Sequence, residues 1–166
     1  MKVLVFVKAT PNSEKGIFPP ETEKLFVEMG KFNEQLVKAG IMQEADGLKP
    51  SSAGKRVTFA DGAAPFVTDG PFAETKELIA GYWIWNVKSM DEAVEWAKRC
   101  PNPMPGEQGT LEIRPCYALD EISDLVPKAE FEREVRLRKQ VARQRKAKSK
   151  SKAALARSKP RRAKAK

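Results

Sequence analysis

The sequence predicts an α+β sandwich. Runs of β-branched and aromatic residues alternate with segments of helical periodicity. They follow the order β-α-β, an inserted hairpin, then β-α-β, the order of a sheet with its helices on one face. Hydrophobic residues make up 41% of the 166 residues, enough for one core, and a Lys/Arg-rich stretch forms a C-terminal appendage.

Lys2 to Lys8 is a β-branched run bounded by lysines, apolar on both faces. Thr10 to Pro20 is rich in Pro, Asn, Ser and Gly and reads as a loop. Pro20 and Glu21 suit a helix start. Leu25, Met29, Phe32 and Leu36 then recur at helical spacing, flanked by Phe26 and Val37, and Gly40 closes the helix. Ile41 to Leu48 reads as a second strand and Lys49 to Gly54 as a turn. Asp61-Gly62 is a hairpin signal between Arg56–Ala60 and Ala64–Thr68. Ile79 to Val87 is the clearest strand in the chain. Ser89 and Glu92 form a capping box that opens a helix with Met90, Ala93, Val94 and Ala97 facing inward. Pro101 to Gly106 breaks it, and Thr110 to Cys116 is the last strand.

Two helices cover one face of such a sheet. The first strand is apolar on both faces, and Tyr82 and Ile84 oppose Trp83 and Trp85. The second face therefore needs a cover. An identical subunit is the simplest one, which makes the chain a homodimer. The C-terminal segment folding back is the other.

Charge is unevenly placed. Lys128 to Lys166 holds 17 Lys/Arg against 3 Asp/Glu, a net +14, and the preceding residues hold 14 against 19, a net −5. Ala118 to Val126 reads as a short helix or arm. Beyond Pro127, early glutamates and later arginines favour a helix through its dipole. From Lys146 the composition lacks apolar content and predicts disorder. The domain organisation is then 1–117 for the sandwich, 118–145 for a partly helical arm and 146–166 for a basic tail. Lys146, Lys148, Lys150, Lys152, Arg157, Arg161 and Arg162 are its candidate nucleic-acid contacts, made through phosphates because the tail has no aromatics to stack on bases. A solubilising or protein-contacting tail is the alternative.

Several chemistries are excluded. The chain has no histidine, and its two cysteines, Cys100 and Cys116, lack metal-ligand spacing, so no metal is expected. It has no phosphate-cradling glycine loop or nucleophile elbow, and no cofactor is expected. Two free thiols point to a reducing compartment. No signal-peptide core and no apolar run near the ~20 residues of a membrane span occur. The expected location is cytoplasmic, with no membrane partner.

The candidate site is Asp69-Gly70-Pro71-Phe72-Ala73-Glu74-Thr75-Lys76-Glu77. Gly70-Pro71 is a turn signal set between two strands. Asp69 is the candidate general base, or a turn former that bonds its own backbone. Glu74, Thr75 and Lys76 are candidate ligand contacts beside Asp69. Arg114, in the last strand, could hold an anion bidentately or form a local salt bridge. Tyr82, Trp83 and Trp85 could line a cavity or belong to core and interface.

These nine residues resemble the signature of the DGPF family, a branch of the YCII-related proteins. Glu44-Ala45-Asp46-Gly47-Leu48, Gly81-Tyr82-Trp83, Asp91-Glu92-Ala93 and Glu112-Ile113-Arg114-Pro115 agree with it. The resemblance covers roughly Met1 to Tyr117. It implies a ferredoxin-like subunit of the dimeric α+β barrel type and no defined reaction. In other YCII-related proteins a His–Asp pair is proposed as catalytic; only the Asp carries over, as Asp69. Members are often encoded beside sigma factors, so the resemblance allows a transcription-linked role and a sigma-factor partner. The expected function is a small-molecule-binding or regulatory homodimer. The alternatives are an enzyme using Asp69 and a nucleic-acid-associated protein acting through its tail.

Overall fold

The computed structural model describes residues 1–73 and 77–158, with side chains up to residue 147. The chain divides into two units, Met1–Cys116 and Tyr117–Lys166.

In the first unit, β1 (Lys2–Lys8), β2 (Met42–Gly47), β5 (Ile79–Asn86) and β6 (Leu111–Pro115) form one sheet in the order β2-β5-β1-β6. All of its pairings are antiparallel. β3 (Lys55–Thr58) and β4 (Phe66–Asp69) form the inserted hairpin, a separate two-stranded sheet. α2 (Thr22–Lys38) and α3 (Met90–Lys98) are the two crossover helices. The result is a mixed α+β fold.

Strand pleating decides what is buried. Val3 pairs with Trp85 and Val5 with Trp83, so these four share one face, and all are buried. α2 meets that face with Phe32 and Leu36, two of the four predicted stripe residues. Phe32, Trp83 and Trp85 form an aromatic cluster with ring centroids 6.1 to 6.4 Å apart, the two Phe32 contacts being edge-on. Edge-on rings bring the positive rim of one to the negative face of another. Leu4, Phe6, Tyr82 and Ile84 lie on the opposite face and are half-buried.

α2 ends where predicted. Gly40 follows it with φ +72°, a conformation that a Cβ disfavours. Ser89 caps α3, its Oγ accepting the Glu92 N–H at 3.2 Å. The Glu92 carboxylate accepts the Lys88 N–H at 2.6 Å.

The structure adds one element. Within the expected loop, Pro11–Glu14 forms a short helix, α1. Its capping box is Thr10 with Ser13: the Thr10 N–H donates to Ser13 Oγ at 2.8 Å and the Ser13 N–H to Thr10 Oγ1 at 3.3 Å. Proline at the first helical position fits the same pattern.

The second unit departs from expectation in one respect. After a 3₁₀ turn at Asp120–Leu125, α4 runs from Lys128 to Ser158, past the boundary at residue 145. Composition predicts disorder from Lys146, yet the backbone stays helical to Ser158. Ala, Lys and Arg are strong helix formers, and the low apolar content that prevents a core does not prevent a helix. Glu134–Arg138 at 2.8 Å and Glu130–Arg133 at 3.5 Å brace its first turns.

Candidate functional site

α2 leaves part of the sheet uncovered at its N-terminal end. A cavity of about 720 Å³ lies there, between α2, the 15–21 segment, β2, β5 and the 103–107 loop. Phe18, Leu25, Phe26, Met29, Trp83 and Met104 give it a mostly apolar wall. Small-molecule sites commonly measure roughly 300–1,000 Å³ and combine apolar walls with a few placed polar groups.

Local interactions set these walls. Thr10 Oγ1 donates to Met104 Sδ at 3.7 Å, tying the 103–107 loop to the start of α1. Asn102 braces that loop, its Oδ1 accepting the Met104 N–H at 3.0 Å and its Nδ2 donating to Glu107 O at 2.9 Å. Trp83 Nε1 donates to Asn33 Oδ1 at 2.9 Å, locking the indole under α2. Phe18 and Phe26 are exposed, which leaves the mouth apolar.

Asp69 lies elsewhere. It ends β4, is largely exposed, and pairs through Oδ1 with Lys55, its cross-strand partner. The next three residues are clamped. A Cβ on Gly70 would lie 1.8 Å from Ser51 O, so only glycine permits this approach. The Gly70 N–H donates to Gly54 O at 3.1 Å and the Phe72 N–H to Ser51 Oγ at 3.2 Å. Ser51 in turn donates to Glu14 of α1 from its N–H, at 3.0 Å, and from its hydroxyl. Arg56 stacks over the Phe72 ring at 4.0 Å. In this segment Asp69 sits in a salt bridge and Gly70-Pro71-Phe72 is an anchor.

Arg114 is exposed on β6, its Nε 3.7 Å from Glu112 Oε1, and Lys8 approaches the same glutamate at 3.4 Å. It takes the local salt bridge of the two readings. Neither Asp69 nor Arg114 lines the cavity. Glu74, Thr75 and Lys76 fall outside the described residues, as do Arg161 and Arg162. Lys146 is exposed on α4; for Lys148, Lys150, Lys152 and Arg157 only the helical backbone is described.

Of the three aromatics, Tyr82 and Trp83 border the cavity and Trp85 is fully buried in the core. Sequence reading assigned no role to Phe18 or Thr22 and took Phe26 only as a flank of the helical stripe. The one signal was an Ile17-Phe18-Pro19 run inside a polar loop, with no side-chain periodicity to assign it a partner.

Both thiols are free and half-buried. Burial pushes the Cys100 thiol up to about 12, which keeps it protonated and non-nucleophilic at neutral pH. Among the described residues no group of His, Cys, Asp and Glu could hold a metal ion, and no helix is long and apolar enough to cross a membrane.

The YCII-related domain family matches residues 1–118. The chain belongs to this family. It is 33% identical over 95 residues to an uncharacterised protein, R00369, of Rhizobium meliloti (strain 1021), covering 57% of this chain and 75% of the relative. Among solved structures it is similar to 5-chloro-2-hydroxyhydroquinone dehydrochlorinase (TftG) of Burkholderia phenoliruptrix AC1100, in complex with 2,5-dihydroxybenzoquinone. That match has TM-score 0.41 and 14% identity, covering 70% of this chain and 94% of the other.

Proposed function

We propose that this YCII-related domain, of the DGPF branch by its Asp69–Glu77 signature, binds a small apolar molecule in the cavity beneath α2. The observation that carries the reading is the cavity itself: about 720 Å³, walled mostly by aromatic and aliphatic side chains, with Asn33, Asp46 and Lys49 among its polar residues, and open at Phe18 and Phe26. Exposed apolar surface of this kind usually marks a binding site. The enzyme alternative finds less support, because its base, Asp69, is exposed and salt-bridged away from the cavity. Naphthalene, a bare ring probe, should bind the full chain once per subunit. Met29→Trp, which fills the cavity, should weaken that binding at least about tenfold. Undiminished binding by a folded Met29→Trp variant overturns the reading.

The domain acts as a homodimer in this reading, through the sheet face of Leu4, Phe6, Tyr82 and Ile84. These half-buried apolar side chains motivate it. Light scattering should give twice the chain mass, and Ile84→Glu should halve it. A wild-type monomer at micromolar concentration refutes the dimer.

A second role belongs to the tail. The +14 charge of Lys128–Lys166, presented on a continuous helix as far as Ser158, favours a polyanion such as nucleic acid. A transcription-linked role and a sigma-factor partner rest on the family resemblance alone. Truncation after Val126 should abolish binding to duplex DNA, and the binding of the full chain should fall steeply with salt. Salt-insensitive binding kept by the truncated chain overturns this role.

A further inference from the structure

Asn33 lies on α2, half-buried, and lines the cavity. Its Oδ1 accepts the indole N–H of Trp83 at 2.9 Å. An indole nitrogen only donates, so the amide must turn its oxygen to Trp83. Trp83 is itself held, packed against Phe32 and Trp85 in the core. The amide nitrogen of Asn33 is therefore fixed as well. It has no hydrogen-bond partner among the described residues, and it is not sealed from solvent as Thr22 Oγ1 and Trp85 Nε1 are. A ligand in the cavity can reach it. The other polar side chains of the wall impose no such direction. Ser13 Oγ is spent on Thr10, accepting its N–H at 2.8 Å and donating to its carbonyl at 3.0 Å. The Asn12 amide makes no hydrogen bond among the described residues, so it can turn to offer a donor or an acceptor. Asp46 and Lys49 are exposed and Glu107 is half-buried, two negative charges and one positive.

We infer that the cavity takes a neutral aromatic carbonyl compound of one or two rings, whose oxygen accepts a hydrogen bond from Asn33 Nδ2. The inference rests on the cavity reading above and adds the ligand's chemical class. A fixed N–H donor calls for an acceptor, and a carbonyl oxygen is one that brings no competing donor. Phe18 and Phe26 supply ring surfaces, which favour a planar aromatic by stacked or edge-on contact. The mostly apolar wall penalises a bare charge, and the Asp46 and Glu107 carboxylates oppose an anion, so the ligand is neutral. The amide supplies selectivity. A site built to hydrogen-bond its ligand rejects an analogue that lacks the matching group.

The test compares 2-acetylnaphthalene with 2-isopropenylnaphthalene, the same shape with a methylene in place of the carbonyl oxygen, by equilibrium dialysis against the full chain. Asn33→Asp is nearly isosteric. It keeps an oxygen for the Trp83 indole and replaces the N–H donor with a second acceptor. The ratio of ketone affinity to alkene affinity should fall about tenfold from wild type to this variant. A fall of less than about threefold overturns the inference while the cavity reading stands. So does a wild type that binds the alkene and not the ketone. Failure of both probes to bind wild type overturns the two together. Should Asn33→Asp not fold or bind neither probe, the side-chain amide resonances of Asn33 in wild type decide. A larger shift with the ketone than with the alkene supports the contact, and equal shifts refute it.

Discussion

The Asp69–Phe72 segment and the Phe18–Met29 segment belong to the same unit and use their side chains in opposite ways. The first satisfies its one charged side chain and its backbone donors locally: Asp69 meets Lys55, Gly70 meets Gly54, and Phe72 meets Ser51. The second turns Phe18, Leu25, Phe26 and Met29 toward the cavity and leaves Phe18 and Phe26 exposed. A charged side chain beside an opposite charge on a neighbouring strand is already answered, whereas exposed aromatic side chains at a cavity mouth are not.

The contrast can be broken at the anchor, where the largest effect is expected. Gly70→Ala places a methyl 1.8 Å from Ser51 O, and the rigid neighbour there is backbone. The clamp must open or shift, at a cost of about 2–3 kcal/mol in urea denaturation. A neutral substitution would show that the signature glycine has no structural duty.

Ser51→Ala comes next. It removes the hydroxyl that joins Glu14 to the Phe72 N–H, and should cost about 1–2 kcal/mol. Glu14 belongs to α1, whose Asn12 and Ser13 border the cavity. The variant should therefore also weaken naphthalene binding. Intact binding with lowered stability would separate the anchor from the cavity.

The smallest effect sharpens the comparison most. Asp69→Asn removes one charge from an exposed pair, and its stability should stay within about 1 kcal/mol of wild type. Binding of naphthalene should not change, since Asp69 does not line the cavity. A large loss of affinity from Asp69→Asn would return the ligand to the signature loop.

Much of the fold was legible. Lys2–Lys8 and Ile79–Asn86 read as strands from their β-branched and aromatic content, but both are apolar on both faces, so the burial of Val3, Val5, Trp83 and Trp85 follows from which face α2 covers. Ser89 and Gly40 marked helix ends because capping chemistry is local. Asp61-Gly62 placed the hairpin for the same reason, although the paired segments shifted to Lys55–Thr58 and Phe66–Asp69. α1 escaped notice because the Thr10–Ser13 cap lies inside a segment dominated by loop-forming residues.

The sequence by itself determined the strands, the two crossover helices, the hairpin and the split between an acidic domain and a basic tail. Each depends on periodicity, capping or charge counted along the chain. Tertiary structure alone decided which signature residues are anchors and where the cavity lies. Gly70 is required because Ser51, far away in the chain, passes against it. The cavity exists because residues 15–21, α2 and the 103–107 loop converge on Trp83. No spacing in the sequence records that convergence, because burial is set by all the segments that meet at a point in space.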